Sequence, residues 1–587
     1  MNPLRIYPGF SRRTNFTQGF NVLLCAIMLG ALFGGRSSPA HAQAICFTLR
    51  DRDSHTLAGV VNSYYPGTAT ASAGSTTISI GQGSGAPVSI AAGDLLLVMQ
   101  MQDAQINSQN TSNYGSGSSG GGGSGYTNPN NVGRYEYVVA MSAVDFASGG
   151  SLTIRGDGVG GGLLYTYTNA NATSSFGQRR FQVVRVPTYL NVVLDGTVSA
   201  SPWDGRVGGL VALEVVNTLD FAGQTITVDG LGFRGGGGRQ LTGASRLSNT
   251  DYRRLSTYNA NGAKGEGIAG TPRYVYMDGA VIDTTPPSGT DGYPNGSNAR
   301  GGPGTAGGGG TDGNPSANDE NSGGGGGGNA GAGGQGGYSW RSALDSGGRG
   351  GAAFAERSVS RVVLGGGGGA GTTNNGTGSP PAGVASSGAA GGGIVLLRVG
   401  AVSGAGAVSA NGASSLDVLN DSTGGGGAGG SVVVVAPPTV SLGGLTVTAQ
   451  GGNGGLVWPL QPPGGYPGER HGPGGGGGGG AVYLSSTPAS LSVAGGQNGT
   501  TTNVADPYGA TPGADGSSVT NASIADIPGA PAGFECYTPT AISLVELSAS
   551  STDRQYLPAL LVLPLLFLAL SAWMVKNHPQ AVDSNRR

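Results

Sequence analysis

Long glycine tracts that run directly into strand-like sequence are the feature that most constrains this chain. Residues 474–484 read GGGGGGGAVYL, and 119 of the 587 residues are glycine. Glycine-rich composition usually indicates a flexible linker or disorder. Here, however, 37% of the residues are hydrophobic, only 11% are charged, and β-branched runs such as Val432–Val435 are present. Charge repulsion therefore does not keep the chain open, and we expect a folded, β-rich protein.

The glycine clusters bracket a repeated unit. Each copy has a glycine pair, a strand, a short turn and a second strand in which apolar and polar residues alternate. The copies lie at residues 208–232, 391–412, 429–452 and from Gly479 onward. A single unit cannot bury its own apolar face, whereas stacked units can, and glycine supplies the positive φ that tight corners require. The pattern predicts an all-β fold with a glycine-rich β-solenoid over residues 201–530.

The longest tracts contain almost no apolar side chains. They lie at Gly301–Gly310, Gly323–Gly337 and Gly365–Gly371. We expect them to be long loops of the solenoid. The alternative is that they pack side by side as extended polyglycine helices, because only glycine fits at such close spacing. In composition the tracts are similar to the extracellular glycine-rich modules of some phage adhesins and of certain receptor kinases.

The region between the N-terminus and the repeats has strand-like runs but fewer glycines, such as Asp94–Met101 and Arg134–Met141. It is predicted to be a β-rich domain that caps the solenoid, because an open end rung would expose an unpaired edge. The predicted organisation is a signal peptide at 1–42, the capping domain at 43–200, the solenoid at 201–530, a C-terminal strand and linker at 531–555, a transmembrane anchor at 556–575, and a cytoplasmic tail at 576–587.

The N-terminus carries a predicted signal peptide, and the C-terminus carries a predicted membrane anchor. Arg12 and Arg13 precede an apolar stretch, and Ala40-His41-Ala42 supplies a small-residue cleavage site, so we expect cleavage after Ala42. A first transmembrane helix is the alternative reading. Tyr556–Val575 is uncharged and long enough to span a bilayer, and basic residues follow it. We expect an exported, single-pass protein of the cell envelope with a short cytoplasmic tail; a buried core helix is the alternative for this segment.

Cysteine usage agrees with export. Cys25 lies in the signal peptide, which leaves Cys46 near the mature N-terminus and Cys536 before the anchor. Two cysteines at opposite ends of an exported chain predict a disulfide, with two free buried thiols as the alternative. The bridge requires that the segment after Gly533 fold back beside the N-terminal strand.

The N-terminal half also resembles a known family. The stretches 91–115, 133–140, 177–189, 229–241 and 262–276 are similar to the N-terminal module of large bacterial surface proteins. Those proteins often continue into Ig-like repeats, which this chain lacks. The family has no established activity, so no catalytic or binding residue is transferred. The resemblance implies a location on a bacterial cell surface and a structural or adhesive role.

No enzyme signature is present. The predicted ectodomain keeps only His55 and His471, and it has no HExxH or GK[ST] motif. We therefore expect no catalytic residue, no cofactor and no metal. The alternative from another class is a carbohydrate-active β-helix, with outward carboxylates such as Asp220 and Asp229 doing acid/base work.

The remaining signals concern partners. Arg155-Gly156-Asp157 spells an adhesion tripeptide that chance readily produces in a glycine-rich chain. The formal net charge is −2 and no Lys/Arg-rich run exists, which argues against nucleic acid as a partner. The expected partners are surface carbohydrate or another cell-surface protein, together with the membrane through the C-terminal helix.

Overall fold

A computed structural model describes residues 46–51, 55–284 and 291–537. The predicted signal peptide with its Ala42 cleavage site, the anchor at 556–575 and the cytoplasmic tail lie outside the described residues. Within the described part, no helix is both long and apolar enough to cross a membrane. The all-β prediction is confirmed: strands and extended segments dominate, and one short α-helix, α1 (Gly533–Cys536), is present among the described residues.

The strands fall into two groups along the chain. The first group precedes the repeated units: β1 (His55–Val60), β2 (Ser63–Pro66), β3 (Thr77–Ile80), β4 (Ser84–Gly85), β5 (Leu95–Gln102), β6 (Ser124–Gly125), β7 (Tyr135–Ala140), β8 (Gly150–Arg155), β9 (Arg180–Arg185), β10 (Thr188–Tyr189) and β11 (Val192–Ser199). The second group follows: β12 (Leu210–Asp220), β13 (Thr225–Thr227), β14 (Gly235–Gly236), β15 (Tyr274–Met277), β16 (Ala280–Asp283), β17 (Gly302–Pro303), β18 (Ile394–Ser403), β19 (Gly406–Ser409), β20 (Ser431–Val435), β21 (Leu445–Thr448), β22 (Ala481–Leu484), β23 (Ser490–Ser492) and β24 (Ser517–Val519).

Most of the N-terminal strands form a 7-stranded antiparallel sheet in the order β3-β8-β7-β5-β9-β2-β4. Its central strand β5 reads LLLVMQMQ and is buried along its whole length. A strand that is covered on both faces reads as a nearly continuous apolar run, as β5 does. The N-terminal strands β10 and β11 instead pair in parallel with strands of the second group, and β1 pairs in parallel with β11.

The repeated units build a 12-stranded sheet in which equivalent strands of successive units pair in parallel. One ladder aligns the first strand of each unit, in the register Leu210, Ile394, Ser431, Ala481 and Ser517. β12, β18, β20 and β22 fall within the segments that the glycine brackets predict, and their apolar side chains contribute to the main core. The last strand of the ladder, β24, lies beyond those segments.

A second ladder aligns the second strands of the units. Ile226, Val408, Val447 and Leu491 stand side by side in register. The first three of these side chains are fully buried, while the residues flanking them along each strand are more exposed. This is the period-2 alternation expected of a strand with one buried face.

The long glycine tracts are not open loops; they are buried, extended chains hydrogen-bonded to one another. In the tract 323–328, every third backbone N–H donates to a carbonyl of the same neighbouring segment. Gly325 and Gly328 donate to Gly308 and Thr305, and Gly324 and Gly327 donate to Thr423 and Gly426. Gly326 points in a third direction, to Gly334. A repeat of three residues per turn without internal hydrogen bonds is the geometry of a polyglycine helix. Of the two arrangements considered for these tracts, the structure shows the packed one, and we call it the glycine bundle.

Close approach explains why the bundle requires glycine. A Cβ added to Gly326 would lie 1.9 Å from the carbonyl oxygen of Gly476, and one added to Gly307 would lie 2.1 Å from that of Gly325. No side chain fits at those distances. The tracts join the ladders end to end, since Gly430 precedes β20 and Gly480 precedes β22.

Cys46 and Cys536 form the disulfide expected from the sequence. The C-terminal segment folds back as that bridge requires: the Gly533 N–H donates to the Glu214 carboxylate at 2.6 Å, and the rings of Phe47 and Tyr537 meet edge to face. The rest of the predicted fold-back lies outside the described residues. The first and last described segments are thus joined to each other beside strand β12.

Candidate binding surface

The glycine bundle ends in a group of connecting loops on the side away from the ladders. We call these segments the loop end: residues 311–322, 338–346, 414–423, 456–471 and 500–510. Short parallel bridges join Val418 to Val457 and Val457 to Thr501. The Tyr338 N–H donates to the Tyr508 carbonyl at 2.9 Å. Loops that are far apart in sequence therefore form one continuous surface.

A buried histidine stands at the centre of one aromatic cluster in this surface. The ring of His471 stacks on Trp340 with centroids 5.3 Å apart and meets Trp458 edge to face at 5.1 Å. Its Nδ1 has no hydrogen-bond partner within the described residues. Burial lowers the pKa of His471 to about 3, so the imidazole is neutral at physiological pH. It acts as an aromatic packing group that fixes both tryptophans.

The second aromatic cluster reaches the solvent. Tyr508 packs between Tyr338 and Tyr466, with ring centroids 5.7 Å and 6.1 Å away. Tyr466 is 70% exposed. The guanidinium of Arg470 lies 5.5 Å from the Tyr466 ring and pairs with Asp506 at 2.6 Å. An exposed ring flanked by a planar ion pair offers both an apolar face and hydrogen-bonding groups to a ligand.

Other large apolar side chains on the loop end are also exposed. Leu460 is 86% exposed, and Leu419 is 65% exposed. Leu344 and Val504 on neighbouring loops are exposed as well. The loop end thus carries several exposed apolar side chains in addition to Tyr466.

The loop end lies far from the disulfide. Residues 472–480 lead from the loop ending at His471 to strand β22, and at about 3.1 Å per residue this tract spans about 25 Å. The disulfide-linked segment contacts Glu214, which lies further along the ladder within β12. The bundle therefore holds the exposed loops at the opposite end of the body from the joined N- and C-terminal segments.

One buried carboxyl group lies beneath the loops. Asp312 is fully buried, and its Oδ2 has no hydrogen-bond partner among the described residues. Burial, with the nearby charges of Asp319 and Glu320, raises the pKa of Asp312 to about 8. Across the described ranges, no three His, Cys, Asp or Glu side chains come together in a way that would hold a metal ion.

The carboxylates considered for carbohydrate cleavage are occupied by local hydrogen bonds. Asp220 accepts from the Ala222 N–H at 2.9 Å. Asp229 accepts from the Ser409 hydroxyl at 3.0 Å and from the Asn411 N–H at 2.5 Å. Both carboxylates stabilise turns beside the second ladder, and no contact in the described residues joins one to the other.

The ectodomain histidines and the Arg-Gly-Asp tripeptide lie in different parts of the structure. His55 begins β1, while His471 lies on the loop end. Arg155 and Asp157 are exposed at the end of β8. With the segment 524–532 and neighbouring residues they line an open cleft of about 980 Å³. The structure brings none of these residues to the loop end except His471.

Sequence reasoning did not identify the loop-end aromatic residues. A usable signal exists, because aromatic residues and prolines are concentrated in the short segments between glycine tracts, such as YSWR at 338–341 and LVWPL at 456–460. Comparison with family models, curated proteins and solved structures gave no match to this chain.

Proposed function

We propose that this chain is an exported surface protein with an adhesive function, and that the loop end is its adhesive face. The observation that carries the proposal is the placement of exposed aromatic and apolar side chains on loops that a rigid bundle holds away from the disulfide-closed base. Loops fixed on a rigid scaffold are a common arrangement for binding sites.

Further support comes from the ends of the chain. The predicted signal peptide directly precedes Cys46, and the predicted anchor closely follows Cys536. A disulfide persists in an oxidising compartment, as expected of an exported domain. With the base at the membrane, the loop end faces outward. The resemblance to bacterial surface proteins points to the same location.

The scaffold is proposed to be a short β-solenoid that continues into the glycine bundle, with the antiparallel N-terminal sheet as its cap. The units that contain β20 and β22 each leave the loop end along a glycine tract, form two strands and a turn, and return along a second tract. Successive units therefore add loops to the same face, in the manner of repeat proteins.

Surface carbohydrate is the proposed ligand of the loop end. A sugar ring has an apolar face that stacks on an exposed aromatic ring such as Tyr466, and its hydroxyl groups suit the Arg470–Asp506 pair. Lysine is almost absent from the chain: Lys264 and Lys576 are its lysines, and Lys264 is fully buried. The cationic group beside Tyr466 is therefore a guanidinium, that of Arg470, and it is already paired with Asp506.

Adhesion of cells that display the full-length protein tests this function. Attachment to carbohydrate-coated and cell-coated surfaces under flow should fall strongly in a variant with Leu460→Ser and Tyr466→Ala. The matched control is Val159→Ser, because Val159 is equally exposed but lies on the antiparallel module. Unchanged attachment of the loop-end variant at equal surface abundance would contradict the proposal.

A further inference from the structure

A polar cleft with uncompensated positive charge lies outside the loop end. It has a volume of about 530 Å³, within the size range of sites for small ligands. Its walls come from the loop before β9, the loop before β12 and the end of β16. The lining is polar and includes Thr68, Asn169, Asn171, Arg180, Asp204 and Arg206.

Arg180 is the half-buried cation of this cleft. It donates to the side-chain oxygens of Asn169 and Asn171 at 3.2 Å and 2.8 Å, and to two backbone carbonyls. None of its contacts within the described residues is a carboxylate. Burial and the nearby charge of Arg206 lower the pKa of Arg180 to about 10. The charge is therefore oriented by neutral groups but not neutralised.

Arg206 is the exposed cation beside it. Its guanidinium has no ion-pair or hydrogen-bond partner among the described residues. Asp204 is close in sequence, but one of its oxygens accepts the backbone N–H groups of Arg206 and Val207 at 2.7 Å and 2.9 Å. Arg234 also lines the cleft, and Glu266 pairs with it at 2.8 Å. Three arginines set against the carboxylates of Asp204 and Glu266 leave one net positive charge in the cleft, and Arg180 and Arg206 carry it because neither pairs directly with a carboxylate among the described residues.

We propose that this cleft binds an acidic sugar, a saccharide unit that carries a carboxylate or a sulfate, with Arg206 as the ion partner of the anionic group. A guanidinium matches the planar oxygens of a carboxylate and donates equally well to a sulfate. The amide of Asn171 and the hydroxyl of Thr68 are suited to sugar hydroxyl groups. The site differs from the loop end and gives the surface protein a second, charge-selective carbohydrate contact.

Calorimetric titration of the purified full-length protein tests the proposal. The probes are an oligogalacturonate, a sulfated oligosaccharide, a neutral oligosaccharide of the same length and sodium sulfate. We expect at least one acidic probe to bind and the neutral one not to, with affinity falling as salt rises. Whether the uronate or the sulfated probe binds more tightly identifies the anionic group.

Two variants separate the site from general charge. Arg206→Gln should weaken acidic-probe binding about ten-fold or more, the expected loss for a charge-assisted hydrogen-bonded pair. Arg155→Gln is the matched control, because Arg155 is also exposed and has no ion-pair partner among the described residues; it should leave binding unchanged. Both variants should keep the native melting temperature.

Four results would overturn the inference. They are no binding of either acidic probe, equal binding of the neutral probe, unchanged binding by Arg206→Gln, and sulfate ion binding as tightly as the sugars, which would mean an adventitious ion only. The loop-end proposal stays separable, because Arg206→Gln leaves Leu460 and Tyr466 in place and should not change attachment under flow.

Discussion

A single methyl group placed in the glycine bundle gives the sharpest test of its packing. In Gly326→Ala the new Cβ would lie 1.9 Å from the carbonyl oxygen of Gly476. The nearest atoms belong to backbone, so no side chain can rotate away and the tracts themselves must separate. Gly326 donates to Gly334 and accepts from Gly351, both at 2.9 Å, so separation strains both hydrogen bonds.

The magnitude follows from two terms. Overpacking a closely packed interior costs about 1–3 kcal/mol. Weakening two backbone hydrogen bonds costs about 0.5–1.5 kcal/mol each in net terms. We therefore expect Gly326→Ala to lower the free energy of unfolding by about 2–6 kcal/mol.

Gly120→Ala is the matched control. Gly120 is exposed, its φ lies outside the left-handed region, and no atom lies within 4 Å of an added Cβ. This change should be neutral, or stabilising by about 0.4–1 kcal/mol through the unfolded state. Denaturant unfolding gives the free energies, and amide exchange by mass spectrometry reports the tracts 323–337 and 472–480. If the two variants differ by less than about 1 kcal/mol and exchange alike, the tracts are not packed as described.

Three further predictions concern His471, the disulfide and Lys264. The folded-state pKa of His471, about 3, lies below the usual value of about 6.5. The free energy of unfolding should therefore fall as the pH drops below about 6.5, by about 2–3 kcal/mol at pH 4.5. In His471→Phe the difference between the unfolding free energies measured in urea at pH 7 and at pH 4.5 should shrink by that amount, and an unchanged difference would refute the burial of a neutral His471. Cys536→Ser should cost about 6 kcal/mol by loop entropy and expose the segment after Pro528 to limited proteolysis, with Cys46→Ser giving the same result. Resistance to proteolysis in either variant would contradict closure of the chain by the disulfide. Lys264 donates to three backbone carbonyls at 2.6–2.9 Å. Amine acetylation, followed by mass spectrometry, should therefore modify Lys264 only in denaturant. Acetylation of Lys264 in the native protein would show that its amine is open to solvent.

The two ladders could be predicted because their sequence carries a side-chain pattern. The run Val432–Val435 falls within β20, and Ile226 and Val447 alternate with polar residues as they do in the sheet. Apolar side chains specify both that a strand forms and which face it buries. The disulfide could also be predicted, since two ectodomain cysteines leave one intramolecular pairing.

The pairing within the glycine bundle could not be predicted. The partners of Gly326 lie at positions 334, 351 and 476, and nothing distinguishes those glycines from their neighbours. A tract without side chains has no pattern that specifies register or partner. The stacking of His471 on Trp340 depends on that pairing, because their loops meet only where the tracts place them.

The same physics explains how the bundle is held in register. Glycine loses more conformational freedom on folding than any other residue and buries no apolar side chain, so a glycine tract has little tendency to order alone. The ladders have the apolar core that the tracts lack, and each tract is covalently continuous with a ladder strand, as Gly480 is with β22. Register is therefore set at the ladder end and carried outward through backbone hydrogen bonds that run in three directions. Because those bonds involve no side chains, sequence changes in the loops beyond the tracts leave the scaffold intact. The loop end can then vary in sequence without loss of the fold, as its proposed role as an adhesive face requires.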